Sequence, residues 1–118
     1  MNVKQCDVVL LPVPFSDQTA RKVRPAIVVS NDSINASSED VILVPLTSVL
    51  KDVPYSITIT QKSFAEGKLI VPSRARADKL FTAHKSLVKM KIGKIELSVL
   101  AEITKTLMRV FGIENFSD

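Results

Sequence analysis

The chain has 118 residues, 46% of them apolar, with few glycines and prolines and no low-complexity stretch; one domain with a packed core is expected, and disorder only at the ends. The net charge of +4 is uneven: between positions 62 and 94 nine basic residues meet two acids, so that stretch carries +7 and the rest −3, a distribution suited to a polyanionic partner. A single cysteine, a single histidine and twelve scattered acids exclude an intramolecular disulfide, the usual zinc ligand set and a paired-carboxylate magnesium motif.

Residues 6–13 form a continuous apolar run rich in β-formers, which predicts a buried strand with Cys6 as a small core filler. Asp7 interrupts any signal-peptide pattern, and the longest apolar runs, 8–13 and 41–46, are too short to cross a bilayer. A cytoplasmic protein without a membrane partner is expected. The polar stretch 14–24 predicts a loop, and Pro25 opens a second strand over 26–30. Asn31, Asp32 and Ser33 supply turn chemistry, and the loop they start runs to Asp40. A third buried strand covers 41–46, where Pro45 predicts an edge or a bulge. Residues 55–60 alternate, with Tyr55, Ile57 and Ile59 on one face and Ser56, Thr58 and Thr60 on the other. Residues 69–71 are short and apolar. Over 86–92 the alternation returns, with Val88, Met90 and Ile92 inward and Lys89 and Lys91 outward.

From Glu96 the period becomes helical. Leu100, Ile103, Leu107, Val110 and Phe111 form the apolar stripe, Glu102 and Thr106 fall on the polar face, and Gly112 stands where the helix should end. Short strands followed by one amphipathic helix predict a mainly β domain over 1–118: a small curled antiparallel barrel closed by a C-terminal helix.

Four motifs, in order, resemble the MazF/PemK family of toxin ribonucleases over nearly the whole chain. They are Asp7-Val8-Val9-Leu10-Leu11-Pro12-Val13-Pro14-Phe15-Ser16-Asp17, then Val23-Arg24-Pro25-Ala26-Ile27-Val28-Val29-Ser30, then Val44-Pro45-Leu46-Thr47-Ser48. The last is Arg76-Ala77-Asp78-Lys79-Leu80-Phe81-Thr82 with Lys85-Ser86-Leu87 and Ile92-Gly93. The resemblance implies an SH3-like barrel of the MazF/CcdB type, a homodimer and no cofactor. It also implies metal-independent cleavage of single-stranded RNA (mRNA) at short sequence motifs, and neutralisation by a cognate antitoxin. Cys6 replaces the Gly that many members carry before the first Asp, and residues 18–23 contain no Gly where many have a Gly-rich loop. His84 stands where several relatives carry Asp. Asp17, seven residues ahead of Arg24, is the nearest acid to a position some relatives use in proposed mechanisms.

Metal-free cleavage uses the 2′-hydroxyl of the RNA as nucleophile. It needs a proton acceptor, donors for the phosphoryl oxygens and a proton for the leaving oxygen. Arg24 and Thr47 occupy the family's catalytic positions; a guanidinium fork matches phosphate and a hydroxyl adds a donor. The general base is unassigned. His84 has suitable chemistry, but the resemblance places no catalytic His there, and a surface or capping role is the other reading. Arg74, Arg76, Lys79, Lys85, Lys89 and Lys91 are candidates for phosphate contacts. Gln18, Ser48, Thr82 and His84 are candidates for contacts to the RNA, and Phe15 and Phe81 are candidate stacking rings that could equally be core. A CcdB-type gyrase poison would carry a Trp near the C-terminus, and this chain has no Trp. A non-catalytic SH3-like RNA-binding module would need the basic surface but not Arg24 with Thr47, and a degenerate toxin would bind antitoxin without cutting.

Overall fold

The apolar run at the start of the chain becomes a central strand. In the computed structural model, which describes residues 2–14 and 22–114, β1 (Asp7–Val13) is flanked by β2 (Lys22–Val28) and β8 (Met90–Ile95). Between them come α1 (Asp32–Ser37), β3 (Asp40–Thr47), β4 (Ser56–Ile59), β5 (Phe64–Gly67), β6 (Ser73–Arg76) and β7 (Phe81–His84). The terminal helix α2 covers Leu97–Val110. All pairings are antiparallel, in the order β4-β6-β3-β2-β1-β8-β5, with β7 also on β3. The edge strands β4 and β5 are not paired to each other, so the sheet is a curled half-barrel rather than a closed one.

The continuous apolar pattern of β1 has a simple cause: both faces of the sheet are buried. Val8 joins Ile27, Val44, Ile57, Ile59 and Ile95 beneath Ile103 of α2. Val9, Leu11 and Val13 join Ala26, Val28, Val41, Leu43, Ala83 and Val88 on the other side.

Pro45 corrects the edge-or-bulge expectation. It is buried in an interior strand, opposite Ala26. Its missing N–H falls where β3 changes partner, from β7 (paired with 40–43) to β6 (paired with 46–47). The sheet thus has no bond for that donor to make.

Other expectations change. The turn chemistry at 31–33 is also helix-capping chemistry: the Asn31 side chain accepts from the N–H of Ile34 at 2.9 Å and starts α1. Residues 69–71 are not a strand; β5 and β6 lie on either side of them and carry too few large apolar side chains to be visible. Residues 85–87 form a 3-10 turn, and the ladder between β1 and β8 has a bulge at Val8/Val9. The extra residue is Ile92, and the residues after it change phase, so that Gly93 and Ile95 are buried; before it, Val88 is buried, as expected, but Met90 is 50% exposed.

On α2, Ile103 is fully buried, and so is Thr106, whose hydroxyl donates to the carbonyl of Glu102 at 3.0 Å. With its donor satisfied locally, Thr106 can leave the expected polar face for the core. Phe111 lies outside the stripe, 68% exposed, because the helix ends there. Gly112 terminates it as expected: φ is +79°, its N–H donates to Arg109 and the N–H of Ile113 to Met108.

Two non-glycine residues have left-handed backbones, Cys6 (φ 78°) and Tyr55 (φ 62°). Cys6 is the position where the family resemblance leads one to expect Gly, the residue that adopts this backbone without strain. Tyr55 precedes β4 with its side chain 44% exposed, so it is not part of that strand's inward face. Since its ring is far from fully buried, Tyr55→Asn should relieve backbone strain at small packing cost. The expected gain is about 0.5–1 kcal/mol, read as a midpoint shift of roughly 2–5 °C in thermal melts. An unchanged or lower midpoint refutes the strain.

Candidate functional site

Cross-strand register decides which polar side chains meet. Arg24 on β2 opposes Leu11 of β1. The β2–β3 ladder pairs Val28 with Leu43, Ile27 with Val44 and Ala26 with Pro45 and ends there; Arg24 and Thr47 each lie two residues beyond it, on the face that Ala26 and Pro45 share. Thr47 pairs with Arg74 of β6, and Arg74 with Thr58 of β4. Directly opposed residues of antiparallel strands share a face. Thr47, Arg74 and Thr58 therefore form one row across three strands, stepped about 4.8 Å apart at the backbone, and Arg24 lies on the same face of β2, past the end of its ladder with β3. One pleat away, Ser56 opposes Arg76 on that same face. A hollow of about 180 Å³ opens beside the row, lined by Val13, Pro45, Leu46, Thr47, Arg76 and Lys79. A larger hollow of about 430 Å³ at the end of α2, lined by Lys105, Met108, Arg109, Ile113 and Glu114, meets none of these residues.

The residues of this face differ in commitment. Arg24 is exposed, and no carboxylate among the described residues pairs with it. The Thr47 oxygen accepts from the N–H of Val49 at 3.2 Å, which leaves the hydroxyl proton to be donated elsewhere. Ser48, next in sequence, is exposed. Arg74 is tied to β4: Nε donates to Ser56 Oγ at 2.8 Å and Nη1 to Thr58 Oγ1 at 2.7 Å. Its Nη2 reaches the Ser56 carbonyl at 3.1 Å and Asp52 Oδ1 at 3.2 Å. Arg76 is clamped by Asp78 through two bonds of 2.9 and 2.7 Å. The hydrogen bonds from Arg76 hold the Asp78 carboxyl below its ordinary range, and the same bonds raise Arg76. Lys79 lines the hollow.

The other candidates lie elsewhere. Thr82 opposes Ile42, and His84 opposes Asp40 at the start of β3. Thr47 ends that strand seven residues later, so in one copy of the chain His84 stands about 23 Å from the row. Lys85 follows it there. Within one chain the row therefore does not draw its proton acceptor from His84, and Thr82 and Lys85, candidates for RNA contacts, lie toward that far end as well. The imidazole instead caps a turn. Nδ1 accepts from the N–H of Ser86 at 3.1 Å, and Nε2 lies 3.0 Å from Glu39 Oε2. Phe81 packs on the second core. Gln18, Phe15 and Asp17 lie outside the described residues.

The basic stretch is not one patch. The sheet sends Arg74 and Arg76 to β6 and Lys91 and Lys94 to β8, with β3, β2 and β1 between. Lys91 covers the buried Asp7 at 3.0 Å, while the other Asp7 oxygen accepts from the N–H of Lys4. Sequence reasoning missed Asp52, Ser56 and Thr58, the acceptors that fix Arg74. The available signal was a matched alternation of hydroxyls at 56 and 58 and arginines at 74 and 76.

Residues 4–111 match a family model described as the PemK-like, MazF-like toxin of type II toxin–antitoxin systems. No curated protein matches the sequence. Among solved structures, the chain is similar to an endoribonuclease from Mycobacterial species (19% identity, TM-score 0.75, covering 98% of this chain and 97% of that one). It is similar to a Mycobacterial endoribonuclease in complex with its cognate antitoxin (17% identity, TM-score 0.73, 98% and 99% covered). It is also similar to MazE–MazF from Deinococcus radiodurans (23% identity, TM-score 0.76, 96% and 99% covered). At these identities the likeness is one of fold.

Proposed function

The chain belongs to the PemK-like, MazF-like toxin family of type II toxin–antitoxin systems, and from that premise we propose that it is a metal-independent endoribonuclease that cuts single-stranded mRNA. The reading is supported by one shared face: Thr47 stands opposite Arg74 on it, and Arg24 lies on it in the neighbouring strand β2. Arg24 is a cation without a carboxylate partner among the described residues, and Thr47 has a proton to give. The 2′-oxygen attacks the adjacent phosphorus, the bond to the 5′-oxygen breaks, and a 2′,3′-cyclic phosphate and a 5′-hydroxyl result. Arg24 neutralises charge on the phosphoryl oxygens and Thr47 donates to one of them. A row of guanidinium and hydroxyl donors meets phosphate directly and would repel a divalent cation.

We assign the antitoxin to the same rim. Val49 (64% exposed), Leu50, Ile70 (77%) and Val71 are apolar side chains flanking the β3 and β6 ends, suited to a polypeptide partner. Two of the solved relatives are complexes with their antitoxin. The homodimer is supported by apolar surface left open on and after α2, at Leu97 (74% exposed) and Phe111. A cytoplasmic location fits this partner set, and no helix among the described residues is long and apolar enough to cross a membrane.

Purified protein incubated with mixed-sequence single-stranded RNA in EDTA should give cuts whose downstream fragments carry 5′-hydroxyl ends. Cuts abolished by the chelator would overturn the metal-free chemistry. An absence of cuts would favour a binding module or a toxin that has lost catalysis.

A further inference from the structure

We propose that Arg74 forms an anion subsite for a backbone phosphate of the RNA and that Asp52 occupies it in the free protein as an internal stand-in; this rests on the ribonuclease reading above.

The Arg74 side chain is only 12% exposed, and three neutral oxygens fix its plane: Ser56 Oγ at 2.8 Å, Thr58 Oγ1 at 2.7 Å and the Ser56 carbonyl at 3.1 Å. None of these cancels its charge. Among the described residues its one carboxylate partner is Asp52, through a single oxygen at 3.2 Å, and the Asp52 side chain is 91% exposed. A carboxylate bathed in water and held at one point is a weak partner. The neighbouring Arg76 shows the contrast, with two short bonds to a carboxylate that is 31% exposed and two residues away. Arg74 is thus a pre-oriented, largely desolvated guanidinium whose counter-ion is easily exchanged. It stands directly opposite Thr47. A strand bound with its scissile phosphate at Arg24 and Thr47 would bring an adjacent phosphate to Arg74. A backbone phosphodiester carries the same single charge as Asp52 but can present two oxygens to the guanidinium, where Asp52 presents one.

The test measures affinity for a fully 2′-O-methylated single-stranded RNA, which cannot be cleaved, across a salt series. Asp52→Asn should tighten binding about threefold to tenfold at low salt and steepen the salt dependence by about one phosphate contact. Glu39→Gln removes an acid at the far end of β3, beyond the Debye length of about 10 Å at 0.1 M salt, and should change affinity less than about twofold. The gain from Asp52→Asn should vanish in an Arg74→Gln background. A gain no larger than that of Glu39→Gln, or one that survives without Arg74, overturns the proposal. If no variant binds RNA, the ribonuclease reading fails instead. The subsite is then decided by titrating inorganic phosphate against the Arg74 Nε–H resonance, which should move further in Asp52→Asn than in wild type and refutes the subsite if it stays still in both.

Discussion

Arg24→Ala is expected to lower kcat/KM on single-stranded RNA by about 100- to 1,000-fold, the usual cost of losing one donor to a developing anion. The fold should survive. Arg24 is exposed at the open end of β2, and no carboxylate among the described residues depends on it. Surface substitutions of this kind shift stability by only about 0.5 kcal/mol. Neighbouring arginines cannot take over, because Arg76 is clamped by Asp78 and Arg74 is bonded to β4. Arg24→Lys should recover only part of the loss, since an ammonium keeps the charge without the planar fork. Single-turnover cleavage of a fluorogenic RNA, with circular dichroism as the folding control, measures both effects. Full activity in Arg24→Ala would remove Arg24 from the chemistry.

Ile103→Ala should give the largest loss of stability. Ile103 is fully buried and is the α2 side chain at the centre of the first core, against the cluster that includes Val8, Ile27 and Ile95. The other apolar side chains packed on that core from the helix, Val99, Leu100 and Leu107, are only partly buried. Truncation removes transfer energy and leaves a cavity between helix and sheet, together costing about 3–4 kcal/mol. For a domain of this size the melting midpoint should fall by roughly 10–20 °C. Phe111→Ala, one turn beyond Leu107 and 68% exposed, should move it by no more than a few degrees. Equal midpoints for the two variants would show that α2 is not anchored through its Ile103 stripe.

Some features of the fold were legible because they depend on local patterns. The run at 8–13, the alternation at 56–59 and the terminal helix with Gly112 at its end all appear near their predicted places, whereas β2 begins at Lys22, inside the expected loop, and ends at Val28. Strands β5 and β6 were hidden. Phe-Ala-Glu-Gly and Ser-Arg-Ala-Arg owe their conformation to partners rather than to their own side chains. At Gly93, opposite Gly67, a Cβ would lie 2.6 Å from the Phe64 ring, so β5 and β8 pair only because that position is bare. Thr106 was misplaced because its hydroxyl found its acceptor within its own helix, and the alternation of 86–92 did not run on to Ile95 because Ile92 is a bulge.

Local periodicity and short-range turn chemistry were enough to indicate a mainly β domain ending in a helix; Arg24 and Thr47 were singled out by the resemblance to the MazF/PemK family. Which polar groups share a surface was settled only by strand order and register. These set Arg74 and Thr58 in line with Thr47, send His84 to the opposite end of β3, and divide the basic stretch between β6 and β8. The reason is geometric: a residue's facing partner is chosen by pairing across the sheet, and a shift of one place would turn its side chain to the other face.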